Sequence, residues 1–202
     1  MELKRVVVTG LGAITPIGNT VQDFWDGLVN GVSGAGDITH FDAKLFKTRF
    51  ACEVKGFNAT DYIDRKEARK MDLYTQFAVA VAKQAVADAG IDVDTVDRNR
   101  VGVVFGAGIG GIRTFEEEAG NYALRGQTDG PKFNPFFIPK MISDIAAGQI
   151  TTRVLDITGQ VRPLAEKCRL IYGFNLLNDL FDNLFNFLLR LGGHSGGGCC
   201  RR

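Results

Sequence analysis

The sequence predicts an α/β protein with a mostly parallel sheet and packed helices. Two apolar runs, residues 5–9 and 101–105, have the composition of buried strands. Each run is followed by a glycine-punctuated loop and then by a segment with helical periodicity. Apolar strands that alternate with helices are typical of parallel sheets, which are buried on both faces.

Four segments show helical patterns. They are residues 20–29, 65–89, 112–124 and 140–151. Asn19 and Thr20 are both good N-cap residues for the first helix. The second is the strongest, because apolar side chains recur at three- and four-residue steps and Gly90 follows its end. Pro139 suits the first turn of the fourth helix, and a short extended piece is expected at residues 48–54.

Composition excludes several classes of protein. With 24 basic and 23 acidic residues, the chain has no strong field that would attract nucleic acid or a membrane surface. No run of about 18 apolar residues could span a bilayer. The first apolar run is too short for a signal peptide, so a cytoplasmic location is expected. The four cysteines form neither a disulfide framework nor a zinc-ligand spacing; they are Cys52, Cys168, Cys199 and Cys200.

The chain changes character after about residue 151. Residues 1–151 alternate strand and helix patterns, whereas residues 152–202 do not continue them. Within this tail, residues 175–191 are rich in Leu and Phe and predict an apolar helix. Residues 192–202 are Gly-rich and are expected to be disordered.

Three stretches of the first part resemble the β-ketoacyl-acyl-carrier-protein synthases. Residues 6–18 read Val-Val-Val-Thr-Gly-Leu-Gly-Ala-Ile-Thr-Pro-Ile-Gly, and residues 65–72 read Arg-Lys-Glu-Ala-Arg-Lys-Met-Asp. Residues 106–111 read Gly-Ala-Gly-Ile-Gly-Gly, with Phe-Asn-Pro-Phe-Phe-Ile-Pro behind them at residues 133–139. Each stretch is weak alone, but their order and spacing together are specific to the family.

The resemblance implies a thiolase-like fold of two pseudo-symmetric halves, of which this chain holds roughly the first. It implies a cytosolic homodimer that takes an acyl chain from an acyl carrier protein onto a cysteine. The acyl-enzyme then condenses with the carbanion formed by decarboxylation of malonyl-carrier protein, with two histidines stabilising the enolate. No metal and no cofactor is expected.

The same resemblance assigns roles to individual residues. Gly108, Ile109 and Gly110 are similar to the loop that lines and gates the acyl pocket. Phe136 and Phe137 lie in a segment similar to the dimer-interface wall of the partner's pocket.

A basic patch is also predicted. Lys66, Arg69 and Lys70 are spaced to share one face of the predicted helix 65–89. Placing cations at a helix start opposes the helix dipole, so helix stability does not explain them. With Lys132 they match the family's docking patch for the acidic carrier protein, and binding there should depend on salt.

The nucleophile of the family is missing from its expected place. Family members carry a Tyr-Gly-x-x-Gly-Pro-Ser-x-Ala-Thr segment shortly before it, which residues 151–164 do not match. Cys168 falls at a similar distance, but its neighbours Glu166, Lys167 and Arg169 are too bulky for a tight strand-to-helix turn. His40 is too early in the chain and His194 lies in the Gly/Ser tail. We therefore predict no catalytic residue, and a chain that is inactive alone.

A shift of reading frame near residue 151 would explain this change. Codons for residues 155–164 can be chosen so that a one-base shift encodes Gly-Tyr-His-Gly-Pro-Ser-x-Ala-Thr. The nucleotide sequence of this region, read in three frames, tests the hypothesis.

Parts of the sequence are also compatible with two other functions. Gly106, Gly108 and Gly111 fit the spacing of a dinucleotide-binding loop between strand and helix. The strand that should follow is replaced by a predicted turn at residues 126–131, which leaves Asp129 without a strand to present it. The other alternative is a non-catalytic fragment that dimerises or binds the carrier protein.

Overall fold

The computed structural model describes residues 5–130 and 132–156. In that part the chain forms seven helices and one pair of strands, together with short 3₁₀ and π-helical turns. In chain order the elements are α1 (Val21–Val29), β1 (Ala35–Asp37), β2 (Phe50–Cys52), α2 (Arg65–Ala68), α3 (Leu73–Asp88), α4 (Ile112–Asn121), α5 (Gln127–Asp129), α6 (Phe137–Met141) and α7 (Ile145–Arg153). The predicted apolar helix at residues 175–191 and the Gly-rich end lie outside the described residues.

Helix α1 begins where the sequence predicted. Thr20 is its N-cap, and its hydroxyl oxygen accepts a hydrogen bond from the Asp23 amide at 3.1 Å. Asn19, the other candidate cap, instead donates through its side-chain amide to the Lys55 carbonyl at 2.8 Å. The predicted extended piece is also present, because β2 pairs antiparallel with β1 in the register Ala35 to Cys52.

The predicted helix 65–89 is two helices. Asp64 caps α2, and Asp72 caps α3 by accepting from the Tyr74 amide at 3.4 Å. The Gln76 side chain donates to the carbonyls of Ala68 and Met71 at 2.9 and 3.3 Å. These bonds satisfy carbonyls that a continuous helix would have paired, and so they stabilise the break.

The core lies on both sides of α3. One cluster joins Ala78 of α3 to Ala146 and Ile150 of α7. The other packs Val79 against residues of α2 and of the segments on either side of it. Its buried members are Ile63, Ala68, Met71 and Val79. Helix α3 is thus the element on which α2 and α7 are both positioned.

Neither predicted buried strand is formed. Residues 5–9 and 101–105 enter no ladder, and in the described part of the chain the only sheet is the antiparallel β1–β2 pair. Val6 and Val104 are 89% and 99% exposed. A strand needs a neighbour for its amides and carbonyls, and the described residues offer these runs none. Only Val103 and Phe105 contact the core, beside the α3–α7 cluster.

The loop after the first run lies along α3. A Cβ at Gly10 would lie 2.2 Å from the Ala85 carbonyl oxygen, so glycine is required by close approach. The Leu11 amide donates to the Asp88 carboxylate at 2.8 Å, and the Ala13 amide to the Gln84 side chain at 2.9 Å. The glycines of this motif therefore serve the packing of loop on helix.

The bounds of the last two predicted helices, at residues 112–124 and 140–151, differ from those in the structure. α4 passes into a π-helical turn, Tyr122–Gly126, and then into α5, so residues 126–129 of the predicted turn are helical. Pro139 lies in the first turn of α6, as its missing amide allows. A break at Ile142–Ser143–Asp144 separates α6 from α7 where one helix was predicted.

Candidate functional site

Three predicted docking residues lie around α2. Lys66 is in the first turn, Arg69 is the C-cap, and Lys70 follows it. All three are exposed. The prediction that they share the first turns of one long helix is wrong, because Asp72 starts a new helix. The argument from the dipole of a long helix therefore does not apply to them.

Glu67 shares its carboxylate between two cations. Lys70 Nζ lies 2.7 Å from Oε1, and Arg153 Nη2 lies 2.5 Å from Oε2. The hydrogen bond from Lys70 and then that from Arg153 hold the pKa of Glu67 below its ordinary value. Through Arg153 the end of α7 is tied to α2.

Lys70 also connects the basic patch with the Phe136 segment. Its ammonium nitrogen lies 5.9 Å from the centroid of the Phe136 ring, within cation–π range. Phe136 is 40% exposed. The structure therefore brings a predicted docking residue beside a predicted interface residue.

Lys132 lies in the segment between α5 and α6. It is exposed and lines an open cavity of about 380 Å³ with Arg125, Tyr122 and Phe133. No residue of α2 lines this cavity. The grouping of Lys132 with the other three cations stays a prediction.

Phe137 belongs to a row of aromatic rings. Its ring centroid lies 6.4 Å from that of Phe115 and 5.9 Å from that of Phe133, and Phe133 stacks on Tyr122 at 5.4 Å. The row joins α4 to α6. Within the described residues Phe137 acts in packing, whereas Phe136 is the more accessible of the pair.

The predicted gating loop is anchored on the chain between α6 and α7. Gly110 has φ +77°, and a Cβ there would lie 2.5 Å from the Met141 carbonyl oxygen. Gly108 has open space around it, and Ile109 is 68% exposed. Crowding and the positive φ therefore require glycine at position 110, whereas no crowding requires it at position 108. The exposed Ile109 side chain can contact a further group.

The start of α4 argues against the dinucleotide alternative. A phosphate would need the free amides at this helix start, but the Gly111 amide already donates to the Met141 carbonyl at 3.1 Å. A Cβ at Gly111 would lie 2.2 Å from the Lys140 carbonyl oxygen, so protein backbone occupies the approach. Asp129 ends the short helix α5 rather than a strand.

Three residues with contacts at this site were missed by sequence reasoning. Glu67, Arg153 and Asp72 were not singled out, although Asp72 accepts hydrogen bonds from both the Tyr74 amide and the Thr114 hydroxyl. Asp72 could have been found as an N-cap before an apolar periodic run. The Glu67–Arg153 pair joins residues 86 apart in the chain and leaves no local signal.

Of the cysteines and histidines considered as catalytic candidates, only some lie within the described residues. Cys168 and His194 lie outside them. His40 is half-exposed, with Nε2 3.9 Å from the Glu53 carboxylate, and Cys52 is exposed on β2. Within residues 5–130 and 132–156 no group of three or more His, Cys, Asp or Glu could hold a metal ion. In the same residues no helix is long and apolar enough to cross a bilayer.

Comparison with known proteins identifies the family. The family model for the beta-ketoacyl synthase N-terminal domain matches residues 3–165. The chain is 43% identical to the 3-oxoacyl-[acyl-carrier-protein] synthase 2 of Synechocystis sp. over 181 residues, which is 90% of this chain and 42% of the relative. The corresponding synthase of Vibrio harveyi is 46% identical over 152 residues, 75% of this chain and 36% of the relative.

Solved structures agree with the sequence relatives. The ishigamide ketosynthase/chain length factor covers 74% of this chain and 36% of its own, at 29% identity and a TM-score of 0.67. A type II PKS acyl-carrier protein in complex with its ketosynthase bound to the hexaketide gives 78% and 40% coverage, 26% identity and a TM-score of 0.62. These matches confirm the predicted thiolase-like fold class.

The chain therefore belongs to the beta-ketoacyl synthase family through its N-terminal domain. It spans less than half the length of these curated relatives. The domain boundary near residue 151 stays a prediction, and the family match runs past it to residue 165.

Proposed function

We propose that this chain holds the acyl-carrier-protein docking surface of a 3-oxoacyl-[acyl-carrier-protein] synthase of fatty acid biosynthesis and does not itself catalyse condensation. The observation that supports docking most directly is the exposed patch of Lys66, Arg69 and Lys70 around α2. Lys66 and Arg69 form no ion pair with the described residues, so their charges are available to an acidic partner.

Dimerisation and a cytoplasmic location belong to the same proposal. Both are implied by the family resemblance. The exposed ring of Phe136, beside Lys70, is a surface that a second copy of the chain could cover. Gly108, Ile109 and Gly110 are proposed to face the acyl chain there.

The lack of catalysis is proposed from the sequence. Covalent condensation needs an activated thiolate and donors for the enolate oxygen. Cys168 stands between Lys167 and Arg169 without the small residues of a tight turn, and His194 follows two glycines. Cys52 is exposed on the short strand β2, and it does not follow the segment that precedes the family's nucleophile.

Reversing two charges of the patch tests the docking proposal. K66E/R69E is expected to weaken binding of an acyl carrier protein by about tenfold or more, since exposed pairs contribute about 0.2–1 kcal/mol each and reversal adds repulsion. Binding of the carrier protein is measured with a biosensor on which the full chain is immobilised at low density, at several salt concentrations.

R98E/R100E is the matched control. Both arginines are exposed, they lie away from α2 in the chain, and the change in net charge is the same. The control is expected to bind nearly as tightly as the unaltered chain. Equal losses for the two variants, or wild-type binding that does not respond to salt, would contradict the proposal.

A further inference from the structure

Lys70 differs from the other two cations of the patch because it already forms an ion pair within the chain. Its ammonium donates to Glu67 Oε1 at 2.7 Å, and its side chain is 44% exposed. A carboxylate of this same chain thus stands where an acidic group of a partner would stand. Lys66 and Arg69 have no such competitor among the described residues.

The Glu67 carboxylate does not depend on Lys70 alone. Its second oxygen accepts from Arg153 at 2.5 Å. If the Lys70–Glu67 ion pair broke, Glu67 would keep its charge-assisted hydrogen bond from Arg153 and would not become an isolated anion beside the docking patch. All three side chains are partly exposed, so the pairs are weak enough to exchange.

We propose that Glu67 is a built-in competitor for Lys70, and that Arg153 retains Glu67 when an acidic group of the carrier protein takes Lys70. This inference rests on the proposed docking function and adds a regulation of that surface. Glu67 and Arg153 are then positioning residues: they set how much Lys70 contributes, while Lys66 and Arg69 attract the partner directly.

A double-mutant cycle on carrier binding tests the exchange. K70A is expected to weaken binding by less than about twofold in the unaltered chain, where Glu67 already holds Lys70. In the E67Q background the same change is expected to weaken binding by about two- to fivefold. E67Q alone should strengthen binding. A long-range charge effect would give K70A the same penalty in both backgrounds, and that result contradicts the inference.

E117Q is the matched control for E67Q. Glu117 is exposed and pairs with Arg113 at 2.9 Å in α4, so its change removes the same charge outside the patch. The K70A penalty should not change in the E117Q background. In the R153Q background, where Glu67 has only Lys70 left, the K70A penalty should fall to nothing.

A titration without the carrier protein separates this inference from the docking proposal. NMR titration of the Glu67 carboxyl is expected to show a pKa that rises towards its ordinary value in K70A and in R153Q. An unchanged pKa in both variants contradicts the shared ion pair. No binding by any variant contradicts the docking function, whereas binding with an additive cycle contradicts the exchange alone.

Discussion

Replacing Gly111 by alanine is expected to destabilise the chain by about 3 kcal/mol or more. The new Cβ would lie 2.2 Å from the Lys140 carbonyl oxygen and 3.1 Å from the Asp72 carboxylate. The first neighbour is backbone and cannot rotate away, so α4 and α6 must separate. That separation also breaks the hydrogen bond from the Gly111 amide to the Met141 carbonyl. Urea unfolding followed by far-UV circular dichroism measures the loss.

Gly106→Ala is the control for this prediction. Gly106 belongs to the same glycine-rich loop, but a Cβ there meets nothing within 4 Å. Its substitution is expected to change the free energy of unfolding by less than about 0.5 kcal/mol. If both alanines lowered stability equally, the close approach of the loop to α6 would be wrong.

Self-association is the second large effect that we expect. Val6 and Val104 are 89% and 99% exposed, in β-branched runs whose amides and carbonyls have no ladder partner among the described residues. Such runs pair readily with other chains. The unaltered chain is therefore expected to be largely associated at micromolar concentration, and V6K/V104K to raise the monomer fraction severalfold in sedimentation velocity.

Leu45→Lys distinguishes association by strand pairing from non-specific hydrophobic association. Leu45 is 99% exposed, but it lies outside both runs. We expect it to change the monomer fraction much less than V6K/V104K does. An unaltered chain that is a soluble monomer with a cooperative melt would contradict the prediction of association.

Local patterns in the sequence predicted most helices well. α1 follows its cap at Thr20, and α3 ends just before Gly90, which has φ +60°. Helices depend on neighbours within four residues, so periodicity and capping residues locate them. The breaks at Asp72 and at Ser143 were missed because a cap inside an apolar pattern competes with the pattern itself.

The strands could not be predicted in the same way. Residues 5–9 and 101–105 have strand composition, but a strand forms only with a partner that lies far away in the chain. The described residues supply no partner, so the composition is present without the ladder. The packing of Gly10 against Ala85 likewise depends on a contact that no local pattern shows.

The candidate site was predicted in part. Lys66, Arg69 and Lys70 are exposed as expected, and Phe136 is accessible beside them. The ion pairs of Glu67 are what the sequence did not reveal, because Arg153 comes from a distant helix.

We propose that this chain docks a carrier protein but forms no acyl-enzyme. The most direct test of this proposal is to incubate the chain with acyl-loaded carrier protein and to measure the masses of the intact chain and of its peptides. We expect carrier binding together with no acyl adduct on any cysteine. A stable thioester on Cys168 would contradict the account.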